Sequence, residues 1–227
     1  MSGSGASDGQ RGRFLTFEGG EGAGKSTQVA ALEDALKRVG VDVLVTREPG
    51  GTPGADLVRH AVLSGAAASF GPEVETLLFA AARAEHVDRV IRPALAAGRW
   101  VVCDRFLDST RVYQGGHGVG APLLRALETV AVGDVVPDLT IILDLPAETG
   151  LARAAERRGE GGAADRFEAE TIAVHEARRR RFLEIAAAEP DRCAVVDAAP
   201  RPSIVAAAVR RVVSQRLGVP LAERLGA

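Results

Sequence analysis

The stretch Arg13–Thr27, RFLTFEGGEGAGKST, joins a short apolar run to a glycine-rich turn, a lysine and two hydroxyl residues. Its segment Gly19–Ser26 fits the pattern G-x-x-x-x-G-K-[ST]. The residues that follow carry apolar side chains at Val29, Leu32 and Leu36, which is the spacing of one helical face. The stretch therefore predicts a strand, a phosphate-binding loop and a helix, in that order.

The predicted loop suits the phosphates of a nucleotide. Its glycines allow backbone amides to turn inward around phosphate oxygens, and the helix N-terminus adds the positive end of its dipole. Lysine occurs in this chain only at positions 25 and 37, and Lys25 stands where the pattern requires one. A turn that merely capped a helix would explain the glycines but not this lysine. We expect ATP to bind through Gly19, Gly20, Glu21, Gly22, Ala23, Gly24, Lys25, Ser26 and Thr27, with Ser26 as a ligand of Mg²⁺.

Further strand-length apolar runs alternate with segments of helical period along the chain. The runs are Val41–Thr46, Trp100–Cys103, Leu139–Leu143 and Ala194–Val196. Such alternation predicts an α/β protein with a five-stranded parallel sheet covered by helices on both faces, and the phosphate loop makes this the P-loop NTPase fold. Ligands bind at the carboxyl ends of the strands in such sheets. Asp104 follows one of these runs, so we expect its carboxylate beside the phosphate loop, where it can order Mg²⁺.

One domain accounts for nearly the whole chain. We expect a flexible tail over residues 1–12, a single P-loop domain over 13–218 and a C-terminal tail over 219–227. The segment Arg157–Arg166 combines glycines with strong charge, which predicts a short lid at about 153–167.

Composition excludes several other classes of protein. The formal net charge is -2, so neither nucleic acid nor an anionic membrane is the default partner. No apolar run reaches bilayer length and no signal sequence is evident, so we expect a cytoplasmic protein. Cys103 and Cys193 lie in separate apolar runs and are expected to be buried thiols. The run Arg178–Arg181 is interpreted as the solvated basic face of a helix.

Missing motifs narrow the choice among nucleotide-binding proteins. The chain has no asparagine and no lysine after position 37, so the guanine-reading motif [NT]-K-x-D of GTPases cannot occur. The L-S-G-G-Q signature of transporter ATPases is also absent from the sequence. A small kinase with a second substrate remains.

Several further blocks give the chain a close resemblance to the thymidylate kinases. They run in that family's order and are Phe17–Gln28 (FEGGEGAGKSTQ), Thr46–Thr52 (TREPGGT), Leu77–Arg83 (LLFAAAR), Asp104–Phe106 (DRF), Ser109–Gly115 (STRVYQG) and Pro137–Thr140 (PDLT). The resemblance implies transfer of the γ-phosphoryl group of ATP to dTMP, giving dTDP and ADP. Another nucleoside monophosphate kinase, a deoxynucleoside kinase, or a non-catalytic P-loop module is the alternative.

The resemblance also assigns roles to residues. It implies Lys25, Asp104 and Arg105 as catalytic residues, with Ser26 and Asp104 holding the metal. Phe79 and Arg83 are four residues apart in a helical pattern, so one can stack on a pyrimidine while the other donates to its O4. The implied dTMP site comprises Glu21, Arg47, Pro49, Phe79, Arg83, Arg105, Thr110, Tyr113 and Gln114, with Tyr113 crowding the sugar 2′ position.

A cation that stabilises the transferring phosphoryl group must come from outside the phosphate loop, because positions 20–23 contain no arginine. The resemblance points to the bacterial type in which the lid carries this arginine. Arg158 is the first candidate, with Arg153, Arg157 and Arg166 as alternatives. A homodimer is expected by family analogy.

Overall fold

The computed structural model describes residues 11–159 and 166–221. Most of the predicted N-terminal tail, the centre of the predicted lid and residues 222–227 of the predicted C-terminal tail lie outside the described residues.

Five parallel strands form one sheet, which confirms the predicted fold class. Their spatial order is β2-β3-β1-β4-β5, so the strand that leads into the phosphate loop is central. The strands are β1 Phe14–Glu18, β2 Val43–Arg47, β3 Trp100–Asp104, β4 Leu139–Asp144 and β5 Cys193–Asp197.

Helices connect the strands and cover both faces of the sheet. They are α1 Lys25–Arg38, α2 Pro53–Leu63, α3 Pro72–His86, α4 Arg92–Ala96, α5 Leu107–Gly116, α6 Ala121–Val132, α7 Ala147–Arg158, α8 Ile172–Ala188 and α9 Pro202–Leu217. A short 3₁₀ helix, Ala66–Phe70, precedes α3, and one π-helical segment, Val87–Ile91, joins α3 to α4.

Side chains of β1 alternate between the two faces of the sheet. Leu15 and Phe17 pack with residues of α1 and α9, whereas Phe14 packs on the opposite face, edge-on to Phe106. Both faces are apolar because helices cover both, as expected for a parallel sheet. In register, Phe17 of β1 lies opposite Asp104 of β3, so both strands end at one edge.

Residues at the inner ends of both predicted tails pack against the domain. The amide of Gly12 donates to the carbonyl of Leu95 at 2.9 Å. Val219 and Leu221 are buried in the core cluster that includes α1 and α9. The predicted lid is also partly helical, since α7 continues to Arg158. Within 11–159 and 166–221, no helix combines the length and apolarity needed to cross a membrane.

Candidate active site

The phosphate loop follows β1 and ends where α1 begins at Lys25. The Lys25 ammonium donates to the carbonyls of Gly19 and Gly20 at 3.0 and 2.8 Å, so it lies inside the loop. Burial, together with the charge of Arg105, lowers the pKa of Lys25 to about 8. Gly22 has a φ of 66°, and a Cβ there would lie 1.9 Å from the carbonyl oxygen of Gly150 in α7. Only glycine therefore allows α7 to pack this closely against the loop.

The two predicted metal ligands lie side by side. The hydroxyl of Ser26 donates to Oδ2 of Asp104 at 2.7 Å. Oxygen donors of this kind suit Mg²⁺, which typically uses few protein ligands and completes its shell with phosphates and water. Over the described ranges, no group of three or more His, Cys, Asp or Glu side chains could hold a metal ion. Ser26 and Asp104 thus offer two adjacent oxygen donors.

A cavity of about 410 Å³ brings the metal ligands and the predicted dTMP site together. All nine residues of that predicted site line it, and so do Lys25, Ser26 and Asp104. Arg47 lies at its exposed edge, with the guanidinium 3.9 Å from Asp56. The predicted dTMP site and the predicted catalytic and metal-binding residues thus line the same cavity.

The deep end of the cavity is built around Arg83 of α3. Its guanidinium donates to Oε2 of Glu48 at 2.6 Å, to the hydroxyl of Thr110 at 3.0 Å and to the carbonyl of Phe106 at 3.1 Å. Both Arg83 and Glu48 are buried, and His86 is a second partner of Glu48 at 2.9 Å. These bonds leave one N–H on each terminal nitrogen of Arg83 for another acceptor.

Arg105 lies between this end and the phosphate loop. Its guanidinium donates to Oε1 of Glu21 at 2.7 Å, and the hydroxyl of Tyr113 donates to the same oxygen at 2.7 Å. Burial alone would raise the pKa of Glu21, but the charges of Arg105 and Lys25 outweigh it and hold that pKa at about 2. Glu21 is therefore an ionised carboxylate between two cations.

The backbone around Arg105 is strained and anchored to β1. Arg105 has a φ of 69°, in the left-handed region that side chains other than glycine rarely adopt. Its amide donates to the carbonyl of Phe17 at 2.9 Å, and the next amide, that of Phe106, donates to Oε1 of Glu18 at 2.8 Å. Burial and the charge of Asp108 raise the pKa of Glu18 to about 7. Strain of this kind persists only where surrounding contacts impose it.

Several polar residues were not among the predicted site residues, including Glu48, Ser109 and Arg59 in the cavity lining and Glu18 behind it. Glu18 and Glu48 stand inside the quoted motif blocks, but nothing in the pattern shows that their carboxylates are buried and paired. Ser109 also stands in a quoted block and bonds both Glu18 and Arg105. Arg59 of α2 belongs to none of these blocks, and its guanidinium donates to the carbonyl of Pro49 at 2.9 Å.

The candidate lid arginines differ in their surroundings. Arg157 and Arg158 both form ion pairs with Glu168, and Arg157 also lines the cavity described above and a neighbouring one of about 430 Å³. Arg153 donates to the carbonyls of Ala198 and Ala199 at 2.8 Å each, and Arg166 pairs with Glu75.

The interpretation of Arg178–Arg181 as a solvated basic face is wrong for Arg178. This side chain is buried, pairs with Glu170 and places its guanidinium carbon 4.3 Å from the centre of the Tyr113 ring. Cation–π attraction to Tyr113 compensates for part of the lost hydration. Arg180 is exposed as predicted.

Arg111, a residue of the STRVYQG block, has a structural role. It donates to both carboxylate oxygens of Glu128 at 2.7 and 2.8 Å and to Glu189 at 2.7 Å. These bonds connect α5 to α6 and to the end of α8, away from the cavity lining. Both cysteines are free and buried, as the sequence predicted.

Comparisons with known proteins agree with this geometry. The family model described as thymidylate kinase matches residues 17–209. Thymidylate kinase of Bradyrhizobium diazoefficiens is 57% identical over 208 residues, covering 91% of each chain. That of Nitrobacter winogradskyi is 57% identical over 210 residues, covering 92% of this chain and 91% of the other. A crystal structure of thymidylate kinase from Ehrlichia chaffeensis has 31% identity and a TM-score of 0.73, covering 89% of this chain and 99% of that one.

Proposed function

The chain belongs to the thymidylate kinase family, and from this premise we propose how its residues transfer the γ-phosphoryl group of ATP to dTMP. The products are dTDP and ADP. Phosphoryl transfer needs little covalent help from the protein, because catalysis consists mostly of positioning two phosphates and stabilising their charge. The residues of the cavity serve one or the other of these two tasks.

ATP binds with its phosphates in the loop Gly19–Thr27. The N-terminal amides of α1 point toward the phosphates, and Lys25 exchanges its bonds to the carbonyls of Gly19 and Gly20 for phosphate oxygens. Ser26 and Asp104 are the residues that would hold Mg²⁺, which would neutralise phosphate charge when bound. The neighbouring cavity, lined by Ala198 and Ala199 and bordered by Arg153, suits the nucleoside part of ATP.

dTMP binds with its phosphate against Arg105 and Arg47. A guanidinium can engage two phosphate oxygens at once, and Arg105 is already held by Glu21 and Ser109. Glu21 receives the 3′-hydroxyl of the sugar, while Tyr113 fills the space that a 2′-hydroxyl would need. Pro49 and Gln114 complete the wall of the cavity around the nucleotide.

The thymine base lies between Phe79 and Arg83. The side chain of Phe79 stacks on the ring, and Arg83 donates one of its remaining N–H groups to O4. Thr110 already accepts a bond from Arg83 at 3.0 Å, so it keeps the guanidinium aimed along the base edge. Cytosine carries an amino group at that position, which would oppose donor to donor.

Charge that develops on the transferring phosphoryl group is met by Lys25 and by an arginine of the lid. Arg158 is our first candidate, and it must exchange its ion pair with Glu168 for the phosphate. Arg157 already lines the cavity and is the second candidate. Closure of the lid would also exclude water from the reaction.

The proposal rests on a single observation: Lys25, Arg105 and Arg83, to which we assign the donor phosphate, the acceptor phosphate and the base, all line one cavity. Its test is an acceptor panel of dTMP, dUMP, dCMP, dGMP and thymidine with ATP. We expect dTMP to be the best acceptor and thymidine to accept no phosphoryl group. Equal rates with dCMP would contradict the assigned base site, and preference for thymidine would contradict the phosphate site.

A homodimer is proposed through the exposed apolar side chains of α2, α3 and α6. Leu57 and Val130 are 75% and 81% exposed, and Leu77 is 48% exposed, which is costly for large apolar residues that remain in water. Helix α3 packs against both α2 and α6, so one partner could cover all three. Sedimentation should give a dimer that Leu77→Glu dissociates; a monomeric parent protein would contradict the proposal.

A reducing compartment suits this chain, because Cys103 and Cys193 are both free. We propose that the enzyme acts in the cytoplasm. Fractionation of the source cells with an antibody to the protein would test this location.

A further inference from the structure

Helix α5 lacks a capping side chain of its own. Its first residues follow Arg105, and the N-cap position is Phe106, which has no side-chain oxygen to offer. The free amides at a helix N-terminus need acceptors and favour negative charge. Here the acceptor comes from β1: Oε1 of Glu18 receives the amide of Phe106 at 2.8 Å and that of Ser109 at 3.2 Å.

The second oxygen of Glu18 connects this cap to Arg105. Oε2 accepts the hydroxyl of Ser109 at 2.6 Å, and the oxygen of that hydroxyl accepts NH1 of Arg105 at 3.1 Å. Because its proton is committed to Glu18, the Ser109 oxygen presents a lone pair to the guanidinium. One carboxylate therefore fixes both the peptide that follows Arg105 and the direction of its side chain.

We propose that Glu18, acting through Ser109, is a positioning residue that holds Arg105 in place for the acceptor phosphate. This inference rests on the proposed function, in which Arg105 binds that phosphate. The strained φ of Arg105 is the local cost of aiming its side chain into the cavity, and Glu18 holds the backbone there. Glu18 itself is fully buried and absent from the cavity lining, so its effect must pass through Ser109 and Arg105.

The experiment compares dTMP with thymidine as ligands, since only dTMP carries the phosphate that Arg105 holds. Dissociation constants for dTMP, thymidine and ATP are measured by calorimetry on the full chain and on Ser109→Ala. We expect the preference for dTMP over thymidine to fall by at least fivefold in Ser109→Ala, with ATP affinity unchanged. Ser109→Thr restores the hydroxyl and should restore most of the preference.

Glu18→Gln tests the carboxylate itself. Its amide oxygen can still accept the two backbone amides, whereas its NH₂ group cannot accept the Ser109 hydroxyl. The preference for dTMP should therefore fall as in Ser109→Ala. Thr16→Val is the matched control, because it also removes a buried hydroxyl bond from β1, the 2.7 Å contact with Thr140, but that bond involves neither Glu18, Ser109 nor Arg105. Its preference for dTMP should remain that of the parent protein.

Arg105→Ala separates failure of this inference from failure of the proposed function. If Arg105→Ala lowers the preference but Ser109→Ala and Glu18→Gln do not, the positioning role is wrong. If Arg105→Ala leaves the preference unchanged, Arg105 does not bind the acceptor phosphate and the proposed function fails at that residue. Equal weakening of dTMP and thymidine in Ser109→Ala would indicate a merely structural role and overturn the inference.

Discussion

Replacement of Arg83 should reduce the preference of the enzyme for dTMP over dCMP. In the structure Arg83 is fixed by Glu48, Thr110 and the carbonyl of Phe106, which leaves one N–H on each terminal nitrogen directed away from these partners. One such N–H donates to O4 of thymine in our proposal. The same N–H groups would face the amino group of cytosine, donor against donor.

The size of the effect follows from that bond. A hydrogen bond from a charged donor is worth about 1.5–3 kcal/mol, so removing it should lower the preference for dTMP over dCMP by about 10- to 140-fold. The variant also leaves the buried carboxylate of Glu48 with His86 as its remaining described side-chain partner, and breaking such a pair costs about 3–5 kcal/mol of stability. Arg83→Ala alone would therefore confound specificity with unfolding.

The double variant Glu48→Gln with Arg83→Met removes both charges together and avoids the unpaired carboxylate. Initial rates with dTMP and dCMP give the ratio of kcat/KM, and circular dichroism reports the folded fraction at the assay temperature. We expect a folded protein with a collapsed dTMP preference and an ATP KM close to that of the parent. A folded double variant that keeps the parent preference would refute the role of Arg83 as the base reader.

Lys25→Ala should lower kcat by about a hundredfold or more, which corresponds to about 3 kcal/mol, because a preorganised charge is lost. Replacement of the exposed Lys37 by alanine is the control, and comparable kcat values in the two variants would contradict the catalytic role of Lys25. Arg158→Ala should lower turnover by roughly a hundredfold and leave ATP affinity unchanged. Arg153→Ala should instead weaken ATP binding, because it releases the carbonyls of Ala198 and Ala199. Turnover is measured by kinetics and ATP affinity by calorimetry, and the opposite pattern would reverse the two roles. The Glu21 carboxyl has a pKa of about 2 in the folded protein against 4.5 ordinarily, so it stabilises the fold above pH 4.5 by up to about 3 kcal/mol and loses that effect as pH falls toward 2. In urea unfolding, the free energy of unfolding of Glu21→Gln should therefore fall less steeply than that of the parent between pH 4.5 and 2. The same pH dependence in both proteins would argue against the pairing of Glu21 with Arg105.

Short-range patterns predicted the fold well. Each strand was an apolar run bounded by turn residues, and the phosphate loop was a local motif, so both could be found without knowledge of distant contacts. The interpretation of Arg178 failed for the opposite reason. Helical spacing placed it in a basic run, but the Tyr113 ring of α5 packs over its guanidinium, and a contact between residues so distant in sequence leaves no local pattern. The roles of Glu18 and Arg111 depend equally on partners from other elements.

Lys25 and Arg105, two of the cations that we assign to the phosphates, are both bonded to one short segment, the end of β1 and the first residues of the loop. The carbonyls of Gly19 and Gly20 hold Lys25, and the carbonyl of Gly19 also accepts NH1 of Arg105 at 3.3 Å. The amide of Arg105 is bonded to Phe17. Donor and acceptor phosphates would therefore be positioned relative to one short segment of the chain, which would set the distance between them. In our proposal an arginine of the lid supplies the remaining positive charge, so lid closure would couple binding of both nucleotides to chemistry.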